Sequence, residues 1–279
     1  MTSMYLRFPG GKAKALTFSY DDGVEQDIRL IEIFRKYGMK GTFNINAGQI
    51  SAEGTVHPEG QIHRRMTATQ IMDTYAEDVC EVACHAYNHP HLTACNSAVV
   101  CNQIIEDRKA LEKMFQRPIH GMAYPFGPTN DMVVDVCKLC GIYYSRTTVS
   151  TKKFDMPTDW LRLPATCHHK NPALMELADQ FLNLQGERLP QLFYVWGHAY
   201  EFEAQNNWEI IENFCEIMAG KDDIWYATNM EIYTAWADYM RLETSADGSM
   251  IFNPNCRSVW IANNRGKVFE IKPGETLIA

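Results

Sequence analysis

The sequence lacks the long apolar runs and basic clusters that mark membrane proteins and nucleic-acid-binding proteins. No apolar stretch in the 279 residues reaches the ~18 residues that span a bilayer. The N-terminus shows no apolar core followed by a small-residue cleavage site, so no secretory signal is predicted. The net charge is −8 and the 26 basic residues are scattered. This distribution argues against nucleic acid or a membrane surface as a partner.

The cysteines also lack a regular pattern. There are nine of them, an odd number at irregular spacings, which argues against a disulfide framework. Cys137 and Cys140 form a C-x-x-C pair, but they lie on the apolar side of a helical pattern that ends at Gly141. Since no second pair accompanies them, we interpret them as buried core thiols rather than as part of a zinc ribbon. These absences together predict a reduced, cytoplasmic protein.

Short apolar segments alternate with helical patterns along most of the chain. The apolar segments do not alternate with polar residues, as expected for parallel strands buried on both faces; they are residues 14–20, 41–46, 79–84, 119–124, 142–147, 191–196 and 223–227. Seven strand–helix units without a dinucleotide-binding glycine fingerprint predict an α/β fold, a distorted seven-stranded (β/α) barrel that is closed or nearly closed. In such barrels the chemistry lies on the loops after the strand C-termini.

The pattern changes past Glu243. Residues 244–279 contain Asp-Gly, Asn-Arg-Gly and Pro-Gly turns between short β-rich runs. We therefore predict a barrel over residues 1–243. A small C-terminal β appendix of two or three strands, packed on the barrel, would follow over residues 244–279.

Paired acids and paired histidines follow two of the predicted strands. Asp21 and Asp22 end the first strand in SYDDG, and His85 and His89 follow the third in HAYNHPHL. One helical turn would bring both imidazoles to the same side. Solvated loop residues explain either pair alone. Together, two neutral histidines and one carboxylate make a normal three-ligand set for a catalytic Zn²⁺-like ion.

This arrangement gives the adjacent acids separate tasks. If Asp22 binds the cation, its charge is compensated and Asp21 can stay ionised beside it. A divalent ion lowers the pKa of the water that it binds to about 7 at good zinc sites, and Asp21 would take that proton. Two further strand ends fit the same face of the barrel, AYPFG at 123–127 and VWGH at 195–198. His198 would be free to protonate a leaving amine or alcohol.

The motifs TFSYDDG, HAYNHPHL, AYPFG and WGH resemble, in order and rough spacing, those of the metal-dependent polysaccharide deacetylases. These are the carbohydrate esterases of family four, which share the chitooligosaccharide deacetylase homology domain. The resemblance covers about residues 10–240. It implies that Asp21 is the catalytic base, that His198 is the general acid and that the backbone N–H of Phe126 helps to stabilise the oxyanion. Trp160 would line the acetyl-methyl pocket, and the metal ligands would be Asp22, His85 and His89.

Two positions depart from the family pattern. The family usually has an arginine that pairs with the base where this chain has Ala123. We expect Arg146, just past the fifth strand, to reach Asp21 instead; a structural or surface arginine is the alternative. Trp196 stands where the family usually has leucine, and its larger ring should reshape the acyl pocket in favour of acetyl.

Further residues near the expected mouth are candidates for substrate binding. His168 and His169 would line a groove, with a solvated loop as the alternative. Glu201 could orient His198 through its other ring nitrogen. Tyr124 could stack on a sugar face, although ordinary packing also explains it.

The leading hypothesis is a metal-dependent hydrolase that removes N-acetyl or O-acetyl groups from a sugar or oligosaccharide. No G-x-S-x-G elbow is present, which disfavours a covalent mechanism. The alternatives are a hydrolase of a small non-sugar amide and a catalytically weak carbohydrate-binding protein, the latter favoured by Ala123. The ligand set suits Zn²⁺ first, and also Co²⁺, Ni²⁺, Mn²⁺ or Fe²⁺. Nothing in the sequence favours one oligomeric state.

Overall fold

The computed structural model describes residues 4–76, 78–185 and 188–278. Its strands, in chain order, are β1 Met4–Arg7, β2 Lys14–Asp21, β3 Gly41–Ile45, β4 Cys80–Cys84, β5 Gly121–Ala123, β6 Tyr144–Ser150, β7 Leu163–Ala165, β8 Cys167–His168, β9 Gln191–Gly197, β10 Ile224–Tyr226, β11 Glu243–Thr244, β12 Met250–Phe252, β13 Val259–Asn263, β14 Val268–Ile271 and β15 Thr276–Ile278. Its α-helices are α1 Gln26–Tyr37, α2 Ala68–Thr74, α3 Ser97–Phe115, α4 Asp131–Leu139, α5 Leu174–Asn183, α6 Tyr200–Ala204, α7 Glu209–Met218 and α8 Asn229–Met240.

The large sheet is parallel, with strand order β7-β6-β5-β4-β3-β2-β9-β8. Its two ends are joined because β7 and β8 are separated only by Thr166. β7 pairs with β6 and β8 pairs with β9, while the Thr166 N–H donates to the Tyr194 carbonyl at 2.8 Å. The extended segment 163–168 thus acts as the seventh strand. The predicted α/β fold, a distorted seven-stranded barrel, is confirmed.

One predicted strand has a different place in the barrel. Six of the predicted segments correspond to β2, β3, β4, β5, β6 and β9. The segment predicted at 223–227 is β10, which pairs with Lys14–Leu16 at the start of β2 and, among the described residues, with no other strand. The true seventh strand, 163–168, contains Pro164, Thr166 and His168 and so has no apolar run to reveal it.

Alternate residues of β2 show why the strands lack polar alternation. Leu16, Phe18 and Tyr20 pack in the hydrophobic cluster formed with the surrounding helices. Between them, Ser19 and Asp21 are buried inside the barrel, where polar partners from other strands reach them. Both faces of the strand are therefore buried, the outer one by apolar packing and the inner one by hydrogen bonds.

The end of the barrel where the strands begin is covered by the N-terminus of α8. The Asn229 N–H donates to Thr42 Oγ1 at 3.0 Å, and the Met230 N–H donates to the partly buried Glu81 carboxylate at 2.9 Å. The Asn229 side chain bonds Thr17 Oγ1 at 2.9 Å. These contacts leave the opposite end, where the strands finish, for the candidate site.

The C-terminal region forms five short strands, more than the two or three predicted. β13 lies between β1 and β14, and β12 lies between β11 and β15, all antiparallel. The N-terminal strand Met4–Arg7 therefore belongs to a C-terminal sheet. Arg257 Nε lies 2.8 Å from Asp238 Oδ2 of α8, which ties this region to the barrel. The division into domains at residue 243 stays a prediction.

Two smaller predictions concern the cysteines and the membrane. Cys137 and Cys140 are buried free thiols, as predicted. Among the described residues, no helix combines the length and apolar character that a membrane crossing needs.

Candidate active site

The predicted acids and histidines meet where the barrel strands end. Asp21 is the last residue of β2, and the Asp22 N–H donates to the Asn44 carbonyl at 2.9 Å. His85 directly follows β4. Asp22, His89 and Phe126 have positive φ angles of 89°, 54° and 63°, which are uncommon for residues other than glycine. Such strained residues cluster at functional sites, where the surrounding structure holds them in place.

Asp22, His85 and His89 form a three-residue set that fits a divalent cation. One ligand atom from each lies within 4.8 Å of the others; the two Nε2 atoms are 3.2 Å apart, and His85 Nε2 is 4.0 Å from Asp22 Oδ1. His85 Nδ1 donates to the Ala123 carbonyl at 2.8 Å. That bond keeps the proton on Nδ1, so Nε2 presents its lone pair to the cluster.

The protonation states also suit a cation site. Burial lowers the pKa of His85, and burial together with the neighbouring His85 lowers the pKa of His89 to about 4. Both imidazoles are therefore neutral at neutral pH. Burial by itself would raise the pKa of Asp22, but a hydrogen bond from His63 and the charge of Arg65 bring that pKa well below its ordinary value. The set thus offers one carboxylate and two free imidazole nitrogens.

Asp21 lies beside this set and is paired with Arg146, as the sequence led us to expect. The two side chains form a buried ion pair, and Arg146 Nε also donates to Ser19 Oγ at 3.3 Å. Asn44 Nδ2 donates to Asp21 Oδ1 at 2.8 Å. Burial would raise the pKa of Asp21, but Arg146, His85 and His198 together outweigh burial and lower the pKa. Asp21 is thus an ionised, oriented carboxylate.

His198 faces Asp21 on one side and Glu201 on the other. Its Nε2 lies 3.9 Å from Asp21 Oδ2, and its Nδ1 lies 3.6 Å from Glu201 Oε2. Burial would lower the pKa of His198, but Glu201, Asp21 and Asp22 outweigh it and raise the pKa above its ordinary value. An imidazolium that keeps its proton near neutral pH can act as a general acid.

Glu201 is the centre of a cluster of basic side chains. Its Oε2 lies 3.2 Å from Nε2 of both His168 and His169, and its Oε1 lies 2.8 Å from Lys170 Nζ. The Lys170 N–H donates to His168 Nδ1 at 3.1 Å. His168 Nε2 therefore carries the proton and donates to Glu201. Although His168, His198 and Glu201 lie close enough together for a cation, this proton makes His168 a donor rather than a metal ligand.

The loop after β5 forms a tight turn at the site. The Gly127 N–H donates to the Tyr124 carbonyl at 2.9 Å across Pro125 and Phe126. The Phe126 ring is half exposed, stacks on His91 with centroids 3.9 Å apart, and meets His89 at 4.5 Å. Phe126 therefore lies next to the candidate metal ligands.

Three predicted substrate-binding residues lie elsewhere. Trp160 packs against Tyr233 and Trp236 of α8, at the end of the barrel where the strands begin, so it cannot line an acyl pocket at the site. Tyr124 is 1% exposed and its hydroxyl donates to the Leu161 carbonyl at 2.8 Å. It has no face free for a sugar.

His169 is also buried rather than part of a groove. It is 2% exposed and its ring stacks between Tyr20 and Phe202. Trp196, in contrast, lies against a residue of the site. The Arg146 guanidinium packs over its ring at 4.4 Å, and its place in an acyl pocket stays a prediction.

Besides Asn44 and Ser19, which contact Asp21 and Arg146, the sequence analysis missed His63, Arg65 and Asp107. His63 Nε2 lies 3.0 Å from Asp22 Oδ2, and Arg65 Nη2 lies 3.0 Å from Asp22 Oδ1; both are in a polar segment without any periodic pattern. Asp107 accepts the His85 N–H at 2.9 Å, and burial raises the pKa of its carboxyl to about 7. Asp107 could have been found, because it is an acid on the buried face of the α3 pattern.

Comparison with known proteins agrees with this architecture. Residues 9–145 match the family described as Polysaccharide deacetylase. A protein from Mycobacterium smegmatis assigned to the polysaccharide deacetylases has a similar structure, with a TM-score of 0.59, 16% identity, and coverage of 84% of this chain and 93% of that chain. No curated protein shows significant sequence similarity to the chain.

Two further solved structures are similar. The Xyl-CE4 domain of a multidomain xylanase from the hindgut metagenome of Trinervitermes trinervoides has a TM-score of 0.51 and 15% identity, covering 81% of this chain and 91% of that one. The Streptococcus pyogenes deacetylase PplD, solved in complex with acetate, has a TM-score of 0.41 and 21% identity, and the match spans 47% of this chain and 55% of PplD. The Mycobacterium smegmatis protein and the Xyl-CE4 domain, both below 25% identity, show a shared fold.

Proposed function

We propose that this chain, which carries a polysaccharide deacetylase domain over residues 9–145, is a metal-dependent hydrolase that removes N-acetyl groups from a carbohydrate. The observation that carries the proposal is the meeting of three features at one end of the barrel. These are the Asp22–His85–His89 set, the Asp21–Arg146 pair and His198. Acyl transfer to water needs a cation site, a base and an acid within reach of one reacting carbon.

A divalent cation held by Asp22, His85 and His89 would supply Lewis-acid polarisation of an acyl carbonyl and activation of water. Two neutral imidazoles and one carboxylate suit Zn²⁺, which we take as the first choice, and they also suit Co²⁺, Ni²⁺, Mn²⁺ and Fe²⁺. The tautomer of His85, fixed by the Ala123 carbonyl, supports this role for its Nε2.

Asp21 is the proposed base. Arg146 and Asn44 hold both of its oxygens, and its lowered pKa keeps it ionised, so it can accept the proton of the attacking water. The oxygen paired with Arg146, Oδ2, is the one that faces His85 and His198 at 3.8 Å and 3.9 Å. The base therefore lies between the cation ligands and the proposed acid.

His198 is the proposed acid, which donates its proton to the leaving nitrogen. Glu201 supports this role because it raises the pKa of His198 and so favours the protonated ring. The backbone N–H of Phe126 is the proposed hydrogen-bond donor to the developing oxyanion, a contribution of roughly 10²–10³ in rate for such donors. Trp196 would bound the acyl pocket and limit it to small acyl groups.

The proposed substrate is an N-acetylated sugar or oligosaccharide, with an O-acetyl sugar as the second choice. The half-exposed Phe126 ring and the partly exposed His168 are two site residues available to contact it. A cytoplasmic substrate is preferred over mature cell wall, on the sequence prediction of location, which subcellular fractionation would test.

The decisive experiment measures acetate release from N-acetyl chitooligosaccharides and from a panel of O-acetyl sugars. We expect turnover by the purified protein, its loss after chelation, and its return with Zn²⁺ or another divalent ion. D21N should retain the cation and lose turnover, whereas D22A should lose both. Turnover that persists after complete metal removal would contradict the proposal.

The panel also separates the alternatives. Activity on simple acylamides but not on sugars would favour a small-amide hydrolase. Bound metal and bound sugar without product would favour a carbohydrate-binding protein. The sequence argument for a carbohydrate-binding protein was the alanine at position 123, where the family has an arginine. That argument is weakened because Arg146 supplies the positive charge beside Asp21.

A further inference from the structure

Two side chains of the polar segment between β3 and α2 contact Asp22, the candidate metal ligand. His63 Nε2 lies 3.0 Å from Asp22 Oδ2, and because a carboxylate only accepts, the imidazole donates. Arg65 donates through Nη2 to Asp22 Oδ1 at 3.0 Å and through Nη1 to the Asp22 carbonyl. The same guanidinium donates to Gln49 Oε1 at 2.8 Å. Two side chains from one segment thus hold both oxygens of one carboxylate.

The segment is fixed to the barrel rather than free. The Met66 N–H donates to the Gly23 carbonyl at 3.0 Å, and the Glu25 N–H donates to the Arg64 carbonyl at 2.9 Å. Arg64 itself pairs with Glu25 at 2.7 Å and with Glu203 at 2.7 Å. His63 therefore meets Asp22 from a backbone that is already anchored beside the acid.

The two oxygens of Asp22 face different groups. Oδ1 lies 4.0 Å from His85 Nε2 and points toward the imidazole pair, while Oδ2 points toward His63. The hydrogen bond from His63 to Oδ2 fixes the rotation of the carboxylate. Oδ1 accepts from Arg65 Nη2 with one lone pair and keeps its second lone pair for a cation. Partners of this kind orient metal ligands, and their loss costs typically 10–100-fold in metal affinity.

We infer that His63 is a positioning residue that holds Asp22 as a one-oxygen ligand and thereby sets the affinity of the site for a divalent cation. The inference rests on the proposed metal site and adds to it a residue from outside the barrel strands. Because the imidazole takes up Oδ2, Asp22 occupies one coordination position instead of two, which leaves more positions for water and substrate.

The test compares the zinc affinity of the full-length wild-type protein with that of H63A, H63Q and H57A, measured by competition with a chromophoric chelator. H63A removes the donor, and H63Q replaces it with an amide N–H of similar reach. His57 is the matched control, because its Nε2 contacts the Arg65 carbonyl at 3.1 Å in the same segment without touching Asp22.

We expect H63A to bind zinc 10–100-fold more weakly than the wild type, with H63Q and H57A within about fivefold of the wild type. An H63A affinity equal to that of the wild type would overturn the inference and leave the proposed function intact. An equal loss in H57A and H63A would also overturn it, because integrity of the segment would then explain both. A wild-type protein that binds no divalent cation would instead overturn the metal site on which the proposed function depends.

Discussion

Arg146→Met removes the positive charge beside the proposed base, Asp21. Its effects can be worked out from the burial of the Asp21–Arg146 ion pair. Asp21 is 2% exposed and Arg146 is 1% exposed, so water cannot replace the lost charge. An adjacent arginine typically lowers the pKa of an aspartate by about 1–3 units. Removing it should therefore raise the pKa of Asp21 by a similar amount. In free energy, the ionised form of Asp21 would lose about 1.4–4 kcal/mol relative to the protonated form.

The first assay is the pH dependence of kcat/KM on an N-acetylated oligosaccharide. Because Asp21 must be ionised to act as a base, the acid limb of the profile should move upward by about 1–3 pH units in R146M. R146K keeps a positive charge in the same place and should shift the limb much less. An R146M profile that coincides with the wild-type profile would refute the assignment of Arg146 as the partner of the base.

The second assay is chemical unfolding of the same variants. Breaking a buried ion pair leaves an uncompensated charge and costs about 3–5 kcal/mol in the free energy of unfolding. In the wild type the lowered pKa of Asp21 stabilises the folded state above the unfolded pKa. In R146M the pKa of Asp21 in the folded state is raised instead. The loss in the free energy of unfolding relative to the wild type should therefore become smaller as the pH falls through that raised pKa. The double variant D21N/R146M lacks the buried charge and should recover much of the lost free energy of unfolding. If it recovers none, the loss in R146M comes from packing.

Three further predictions concern the surroundings of the site. E201Q removes the charge that raises the pKa of His198, so the alkaline limb of the kcat profile should move to lower pH; an unmoved limb would contradict the role of Glu201. W196L should enlarge the acyl pocket and raise the rate on N-propionyl substrate relative to N-acetyl substrate by about 10–200-fold, the usual effect of one methylene group on specificity. An unchanged ratio of the two rates would place the pocket elsewhere. W160A should lower the free energy of unfolding by about 3–5 kcal/mol with kcat/KM within twofold of the wild type, since Trp160 packs on α8; a large loss of kcat/KM without loss of stability would restore it to the site.

Much of the site could be predicted because its motifs are local. Asp21 and Asp22 adjoin a strand that is apolar enough to recognise, and His85 and His89 follow another with a spacing that brings both rings to one side. Parallel strands place their C-termini at one end of a barrel, so membership of the site followed from position along each strand. The glutamate at 201 was found for the same reason, since it lies three residues after His198.

The errors came from side chains whose direction the chain order does not reveal. Tyr124 adjoins the site in sequence, yet it points outward against α4. His169 follows a partly exposed histidine but turns into the core between Tyr20 and Phe202. A change of one residue along a strand reverses the face on which a side chain lies, so proximity in sequence to a strand end did not guarantee access to the site.

The sequence by itself determined the alternation of buried strands and helices, and the local motifs that contain the proposed cation ligands, base and acid. The tertiary structure decided which distant residues complete the site. It decided between the two alternatives for Arg146, which reaches Asp21 across 125 positions, and it alone revealed His63, which reaches Asp22 across 41. The periodicity of buried positions can be read from residues that are close in sequence. The pairings of Arg146 and His63 cannot, because they depend on how the barrel closes and on where the irregular segment between β3 and α2 is anchored. The barrel closes through a strand at 163–168 that has no apolar run.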